Sequence, residues 1–451
     1  MKKILIYSLI LSIIPFTFSC NTFKNSFVRT QNTQFVVGNK PYYFVGTNYW
    51  YGITLGMAGE KGDRERLNRE LDQMQKMGIT NLRILASSEG AADAPWRVQP
   101  AVQTAAGVYD EQVLEGLDYL LVQMRKRGMK GVMVLNNFWA WSGGMVQYLE
   151  WSGKGPVPYP FDGSHSWNEY ISYAKQFYTD KGAMQQFEAF LAMLINRTNS
   201  INGKAYKEDP TIMAWQLANE PRGYDQREAY LKWVDHTASY IKSLDSKHLV
   251  CIGTEGNTPG KDAGTDVYSD NLSNQIDYVT MHIWIQNWSW FDPTKAETTY
   301  PEALVKVDDY FKKHIEAGQQ LNKPVVLEEF GISRDHNDHK PSATIEWRDK
   351  YYGYLFNKSW DAIKGNSPLT GINFWSYAGE GRPNNPEGFW QKGDDLIGDP
   401  PHEPQGWYSV YDQDTTTIDI ISGYAEKIND FSKQAELLQK KAVKQQEQTS
   451  R

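Results

Sequence analysis

The chain has 451 residues, long for one domain but within the reach of an α/β barrel with loop insertions. Its net charge of −7 and pI of about 5.7 provide no basic footprint, so neither nucleic acid nor an anionic membrane surface is expected as a partner. The excess is aromatic: 16 Trp and 27 Tyr in a chain of mean hydropathy −0.59. Trp offers a flat apolar face and one N–H, which suits ligands that, like a sugar ring, combine an apolar face with a polar rim.

Lys2 and Lys3 precede an apolar run over residues 4–18, too short to cross a bilayer and laid out as an export signal over residues 1–19. Thr17-Phe18-Ser19-Cys20 resembles a bacterial lipobox, although Thr17 stands where Leu is usual. The resemblance implies lipidation of Cys20 and an exported protein held at the outer membrane, on its periplasmic face or at the cell surface. Membrane attachment is then through acyl chains alone. Residues 20–32 are polar and read as a tether. Cys251 lies in the apolar run 249–252 and reads as a small buried hydrophobe rather than half of a disulfide.

From residue 33 to 431 short apolar strands alternate with helical stretches. Strands are expected at residues 42–51, 81–86, 131–137, 212–220, 249–255, 278–284, 324–331 and 371–378. They are rich in β-branched and aromatic residues and bounded by Gly, Pro or Asn. Helices such as 63–77 and 112–127 repeat Leu and Met three and four apart. The alternation argues a parallel sheet, and eight units close into a (β/α)8 TIM barrel of the α/β class. An open doubly wound sheet fits less well, because no Gly-rich phosphate loop follows the first strand.

Most of the polar residues in these strands gather at or near the C-terminal ends, among them Arg83, Asn136-Asn137, Asn219-Glu220, Glu255, His282 and Glu328-Glu329. In barrels those ends build the active site. Residues 138–180 and 379–412 form long loops rich in Trp, Gly and Pro, of a length that is usually functional. Residues 432–451 are charged and Gln-rich, a solvated helical tail.

Glu220 and Glu329, at the ends of the fourth and seventh strands, project into the barrel mouth. Two carboxyl groups are what glycosidic bond cleavage needs, one to protonate the leaving oxygen and one to attack the anomeric carbon. Two like charges so close raise the pKa of one, which keeps it protonated. Such chemistry calls for no cofactor and no metal. The polar run Arg334-Asp335-His336-Asn337-Asp338-His339 has metal-ligating residue types but reads as a solvated loop.

Around these glutamates the match becomes specific. Trp215 to Arg222 (WQLANEPR) resembles the Asn-Glu-Pro acid/base signature of glycoside hydrolase family five, and Leu327 to Gly331 (LEEFG) its nucleophile signature. Residues 46–50 (GTNYW), 136–139 (NNFW), 142–145 (SGGM) and 398–406 (GDPPHEPQG) are similar to the bacterial β-mannanase subgroup, and the likeness covers about residues 33 to 430. It implies a retaining endo-β-1,4-mannanase, with Glu220 as acid/base and Glu329 as nucleophile, acting on a β-mannan polysaccharide or oligosaccharide as a monomer. An exo-acting β-mannosidase, another β-1,4-glycanase and a non-catalytic glycan-binding lipoprotein are the alternatives.

The resemblance also implies that Arg83 keeps the nucleophile ionised, Asn219 binds the sugar 2-hydroxyl, His282 and Asn137 support the same subsite, and Trp375 is its stacking floor. Trp139 belongs to the aromatic wall of the cleft. Trp284 stands where many relatives have a Tyr, and Trp50 and Tyr51 compete for one sugar-facing position. Glu329 is preferred to Glu328 because it directly precedes the aromatic residue and Gly. Alternation along a strand allows only one of the two to face the reaction, so Glu328 is expected on the opposite face, paired with a cation behind the barrel.

Overall fold

The computed structural model describes residues 26–449 except Asn39 and Lys261, with side chains to Glu436. Cys20 and the expected export signal lie outside the described residues. All eight expected strands form, as β1 (Phe44–Asn48), β2 (Asn81–Leu85), β3 (Lys130–Val134), β4 (Ile212–Gln216), β5 (Leu249–Cys251), β6 (Val279–Ile283), β7 (Val325–Phe330) and β8 (Leu369–Phe374). They make one parallel sheet in the order β5-β4-β3-β2-β1-β8-β7-β6. The seam between β5 and β6 is joined by Asp277 N–H to Val250 O at 2.8 Å and His282 N–H to Glu255 O at 3.1 Å. Every residue of all eight strands is buried, as expected where helices cover the outside of a filled barrel.

Helices α1 (Arg64–Lys76), α2 (Glu111–Arg127), α3 (Lys181–Ile195), α4 (Arg227–Leu244), α5 (Val267–Asp270), α6 (Ala296–Leu321), α7 (Glu346–Lys364) and α8 (Thr415–Thr449) ring the barrel. Their starts are chemically marked. Asp63 accepts from Arg66 N–H, Asp110 from Gln112 and Val113 N–H, and Asp180 from Ala183 N–H, each satisfying amides that lack an intrahelical acceptor. Residues 432–449 continue α8.

The amino-terminal boundary moves. Val28–Gln31 pairs antiparallel with Gln34–Val37, so the last residues read as tether are a strand of a hairpin. Val28, Phe35 and Val37 pack with Tyr42, Phe44, Val132, Met213, Leu249, Tyr278 and Val326 at the amino-terminal end of the barrel. There is little sequence signal for the first strand, because Val28 is its one apolar residue. Phe35 is fully buried, 5.3 Å from Tyr278 ring to ring. Phe35→Ala is therefore expected to cost about 3–5 kcal/mol in urea unfolding. Activity per folded molecule should be unchanged, and a variant as stable as the parent would show that the hairpin closes nothing.

Candidate active site

A cleft of about 640 Å³ opens at the carboxyl ends of the strands, lined among others by Asn219, Glu220, Glu329, Trp284 and Trp375. Glu220 lies four residues beyond the formal end of β4, on backbone still paired to both neighbours: Asn219 N–H donates to Asn136 O and Glu220 N–H to Gly253 O, both at 2.8 Å. Glu220 itself is left-handed, φ 51°, a conformation that costs a non-glycine residue about 1 kcal/mol or more and must be held by its surroundings. Gly253 is needed beside it. Its φ is +85°, and a Cβ there would meet Ala218 O at 2.1 Å.

Glu329 lies within β7. Leu327 is level with Met281 and Glu329 with His282, which leaves Glu328 as an extra residue in a β-bulge. The bulge resets the alternation. Phe330 turns outward against Tyr352 and Phe356 of α7, while both glutamates reach the barrel interior. The expectation that only one could face inward is thus corrected. Glu328 is not behind the barrel; its Oε2 accepts from Gln216 at 2.7 Å and lies 3.4 Å from Arg83 Nε.

Arg83, from β2, is the hub. It donates to Gln216 Oε1 at 2.8 Å, Asn48 Oδ1 at 3.0 Å and Asn219 Oδ1 at 2.8 Å, and it ion-pairs with Glu329. Trp284 Nε1 donates to the other Glu329 oxygen at 3.2 Å, so the indole makes a contact with the carboxylate in place of a tyrosine hydroxyl. His282 sits among three carboxyls, its Nδ1 2.8 Å from Glu220 and 3.3 Å from Glu329, its Nε2 3.5 Å from Glu328. Trp139 Nε1 donates to Glu220 at 2.7 Å, and Arg222, paired with Glu255 at 2.7 Å, covers the Trp139 ring at 4.9 Å.

The remaining expected residues divide. Trp375 lines the cleft beside Trp284, ring centres 5.9 Å apart. Trp50 borders a small hollow shared with Arg83, Asn219 and Trp375, its N–H held by Gly398 O at 2.9 Å. Tyr51 does not reach the cleft; its hydroxyl turns away to Tyr377 O, Glu70 and Arg66, which settles the competition and removes Tyr51 from the site. Asn137 is fully buried and serves from behind, accepting from Asn219 at 3.2 Å and donating to Ser142.

Sequence reasoning passed over Arg222, Phe161, Trp167, His402 and Glu403, all of which line the cleft. Arg222, His402 and Glu403 lay in quoted segments, but only the fold shows that they line the cleft. Burial, then the charges of Asp399, Glu220 and Glu329, push the Glu403 carboxyl well above the usual carboxylate range, and burial pulls His402 down to about 3, so the imidazole is neutral near pH 7. The polar loop 334–339 is spent on structure: Asp335 caps α7 through Glu346 and Trp347 N–H, both at 2.9 Å, and Asn337 accepts from Gln286 and Trp407. Among the described residues, one trio with metal-ligating spacing is Glu220, His282 and Glu329, whose carboxylates already hold Arg83, Trp139 and Trp284.

The two glutamates titrate as a pair. Burial and the neighbouring Glu220 and Glu328 charges push Glu329 up to about 7 despite His282 and Arg83. Against the cost of burial, His282, Arg222 and Trp139 hold Glu220 down to about 2. Such steps belong to the pair rather than to one residue. Between the lower step, near pH 2, and the upper, near pH 7, the pair carries one proton.

Two buried carboxyls sharing a proton over aromatic walls, at the mouth of a parallel barrel, define a glycosidase type of site. A family model described as glycoside hydrolase family 5 β-mannosidase-like matches residues 25–433. Mannan endo-1,4-β-mannosidase 5 of Arabidopsis thaliana is 31% identical over 419 residues, 89% of this chain and 88% of the plant enzyme. The glycoside hydrolase family 5 mannosidase of Rhizomucor miehei superposes with a TM-score of 0.84 at 38% identity, covering 91% of this chain and 99% of its own. A point mutant of that fungal enzyme, in complex with mannosyl-fructose, matches with the same score and identity over 92% and 100%. The chain belongs to glycoside hydrolase family 5, and it is a glycoside hydrolase.

Activity that draws on the shared proton should fall about tenfold per pH unit above the upper step, near pH 7. The measurement is kcat/KM on an unactivated glycoside across pH. A profile flat to about pH 9 would rule the shared proton out.

Proposed function

We propose that the chain is a retaining β-mannoside hydrolase acting on β-1,4-linked manno-oligosaccharides, with Glu220 as acid/base and Glu329 as nucleophile. The spacing of the two carboxyls carries this reading. Both carboxyls contact His282 Nδ1, at 2.8 and 3.3 Å, and an oxygen of each lies within 4.8 Å of the other, a proximity that favours the close pair of retaining enzymes over the wider pair that admits an inverting water. In the first step Glu329, kept anionic by Arg83 and Trp284, bonds to the anomeric carbon as Glu220 gives its proton to the departing oxygen. In that form the shared proton sits on Glu220, and the imidazolium of His282, pushed up to about 10 against the cost of burial by Glu329, Glu220 and Glu328, joins Arg83 in holding Glu329 ionised. Once Glu329 is an ester its charge is gone, the Glu220 carboxyl becomes more acidic, and Glu220 takes a proton from the incoming water. Asn219, oriented by Arg83 and Asn137, is assigned to the sugar 2-hydroxyl and Trp375 to the stacking floor.

The names of the relatives, mannan endo-1,4-β-mannosidase and mannosidase, support mannose as the sugar. They divide on where the chain is cut. Three loops meet at one side of the cleft: Trp96 after β2 packs on Phe161 at 6.1 Å, and Phe161 after β3 packs on His402 after β8 at 4.7 Å. Trp141 stacks on His402 at 6.3 Å and 7°. A cleft walled in this way favours attack near a chain end. Endo action is the second reading, carried by the plant relatives.

Two outcomes test these assignments. Glu220→Ala should lose at least about a thousandfold of kcat/KM on manno-oligosaccharides, yet keep far more of the first step on a dinitrophenyl β-mannoside, whose leaving group needs no proton. Equal losses on both substrates would remove Glu220 from the acid role. On linear mannan, terminal action releases short products from the start with little loss of viscosity, whereas an early collapse of viscosity would favour the endo reading.

A further inference from the structure

Glu328 has no part in the double displacement, yet it occupies the centre of the site. The bulge turns it inward, and it is fully buried. Its Oε2 accepts from Gln216 Nε2 at 2.7 Å and faces Arg83 Nε at 3.4 Å and His282 Nε2 at 3.5 Å. Its Oε1 has no hydrogen-bond partner. A buried carboxylate with one unsatisfied oxygen is costly, and packing alone does not account for it. The groups around it come from several strands: Asn48 of β1, whose amide holds the Glu328 carbonyl at 2.9 Å, Arg83 of β2 and Gln216 of β4. Cys251 of β5, His282 of β6, Tyr278 just before β6 and Glu329 on its own strand complete them.

We propose that Glu328 is the standing counter-ion of Arg83 and His282, a positioning residue that takes up part of the Arg83 charge and so leaves Glu329 basic enough to attack. The inference rests on the double-displacement reading. One guanidinium lies between two carboxylates, so each weakens its hold on the other. Were Glu329 the sole partner, Arg83 would stabilise it as an inert anion. When Glu329 becomes an ester its charge vanishes, and Glu328 is then the carboxylate still paired with Arg83, which would otherwise be a buried cation short of its counter-charge. Although burial works against it, Arg83, His282 and Gln216 hold the Glu328 carboxyl below the ordinary range, so it stays ionised through the cycle.

The test is Glu328→Gln, which keeps the shape and removes the charge. Loss of a negative neighbour lowers the pKa of both Glu220 and Glu329, so both limbs of the kcat/KM bell should move to lower pH by at least about half a unit. Formation of the covalent intermediate from a dinitrophenyl β-mannoside should slow by about tenfold or more, and its breakdown by less. Glu328→Asp keeps the charge and should hold the bell at the parent position; this variant also decides the matter if the Gln protein does not fold. An unmoved bell in Glu328→Gln, or a Glu328→Asp bell displaced from that of the parent, overturns the proposal. Labelling of the parent enzyme with a 2-deoxy-2-fluoro-mannosyl fluoride separates the two layers. No adduct defeats the double displacement itself, an adduct on Glu328 keeps the double displacement but overturns both the Glu329 assignment and the counter-ion, and an adduct on Glu329 with an unmoved bell sinks only the counter-ion.

Discussion

Arg83 is a cation inside a barrel, and the site is arranged around the cost of keeping it there. A guanidinium removed from water is tolerated only where its donors are met. Here it meets Gln216, Asn48, Asn219 and the two glutamates of β7. The same contacts fix Asn219 and hence the backbone that leads into Glu220. The hub therefore ties the ends of β1, β4 and β7 to β2, and the positions of both carboxyls follow from it. This is a more economical arrangement than separate supports for each glutamate, but it makes the site sensitive to any change in total charge.

Much of this was legible in the sequence, and the reason is periodicity. Strands buried on both faces read as short apolar runs, and a carboxylate at the end of such a run has no place in a core, so Glu220, Glu255 and Glu329 were visible at once. Arg83 was visible for the same reason. The bulge in β7 was not. A pair such as Glu328-Glu329 looks like ordinary alternation until the register against β6 is known, and register is set by the neighbouring strand. Tyr51 against Trp50 was undecidable likewise, because the chain turns just after Asn48 and alternation ends there.

The walls of the cleft were the least legible part. Composition marked the segments after β3 and β8 as functional, since long loops rich in Trp and Pro are rarely idle. What it could not supply was partnership. Phe161 meets His402 across some 240 positions of sequence, and nothing local in either segment encodes the other. The same holds for Glu403, which is an ordinary acidic residue in the chain and, in the fold, an inward-facing carboxyl whose pKa burial raises.

The amino-terminal hairpin has a geometric consequence. Ser26 O is held by Lys130, the first residue of β3, and Val28 and Phe35 lie under the barrel floor. The polypeptide therefore enters at the pole opposite the catalytic mouth. Anything joined ahead of residue 26, whether lipid, surface or second module, pulls on the closed end of the barrel. A pull applied there would act on the floor strands, at the end of the barrel away from the glutamates.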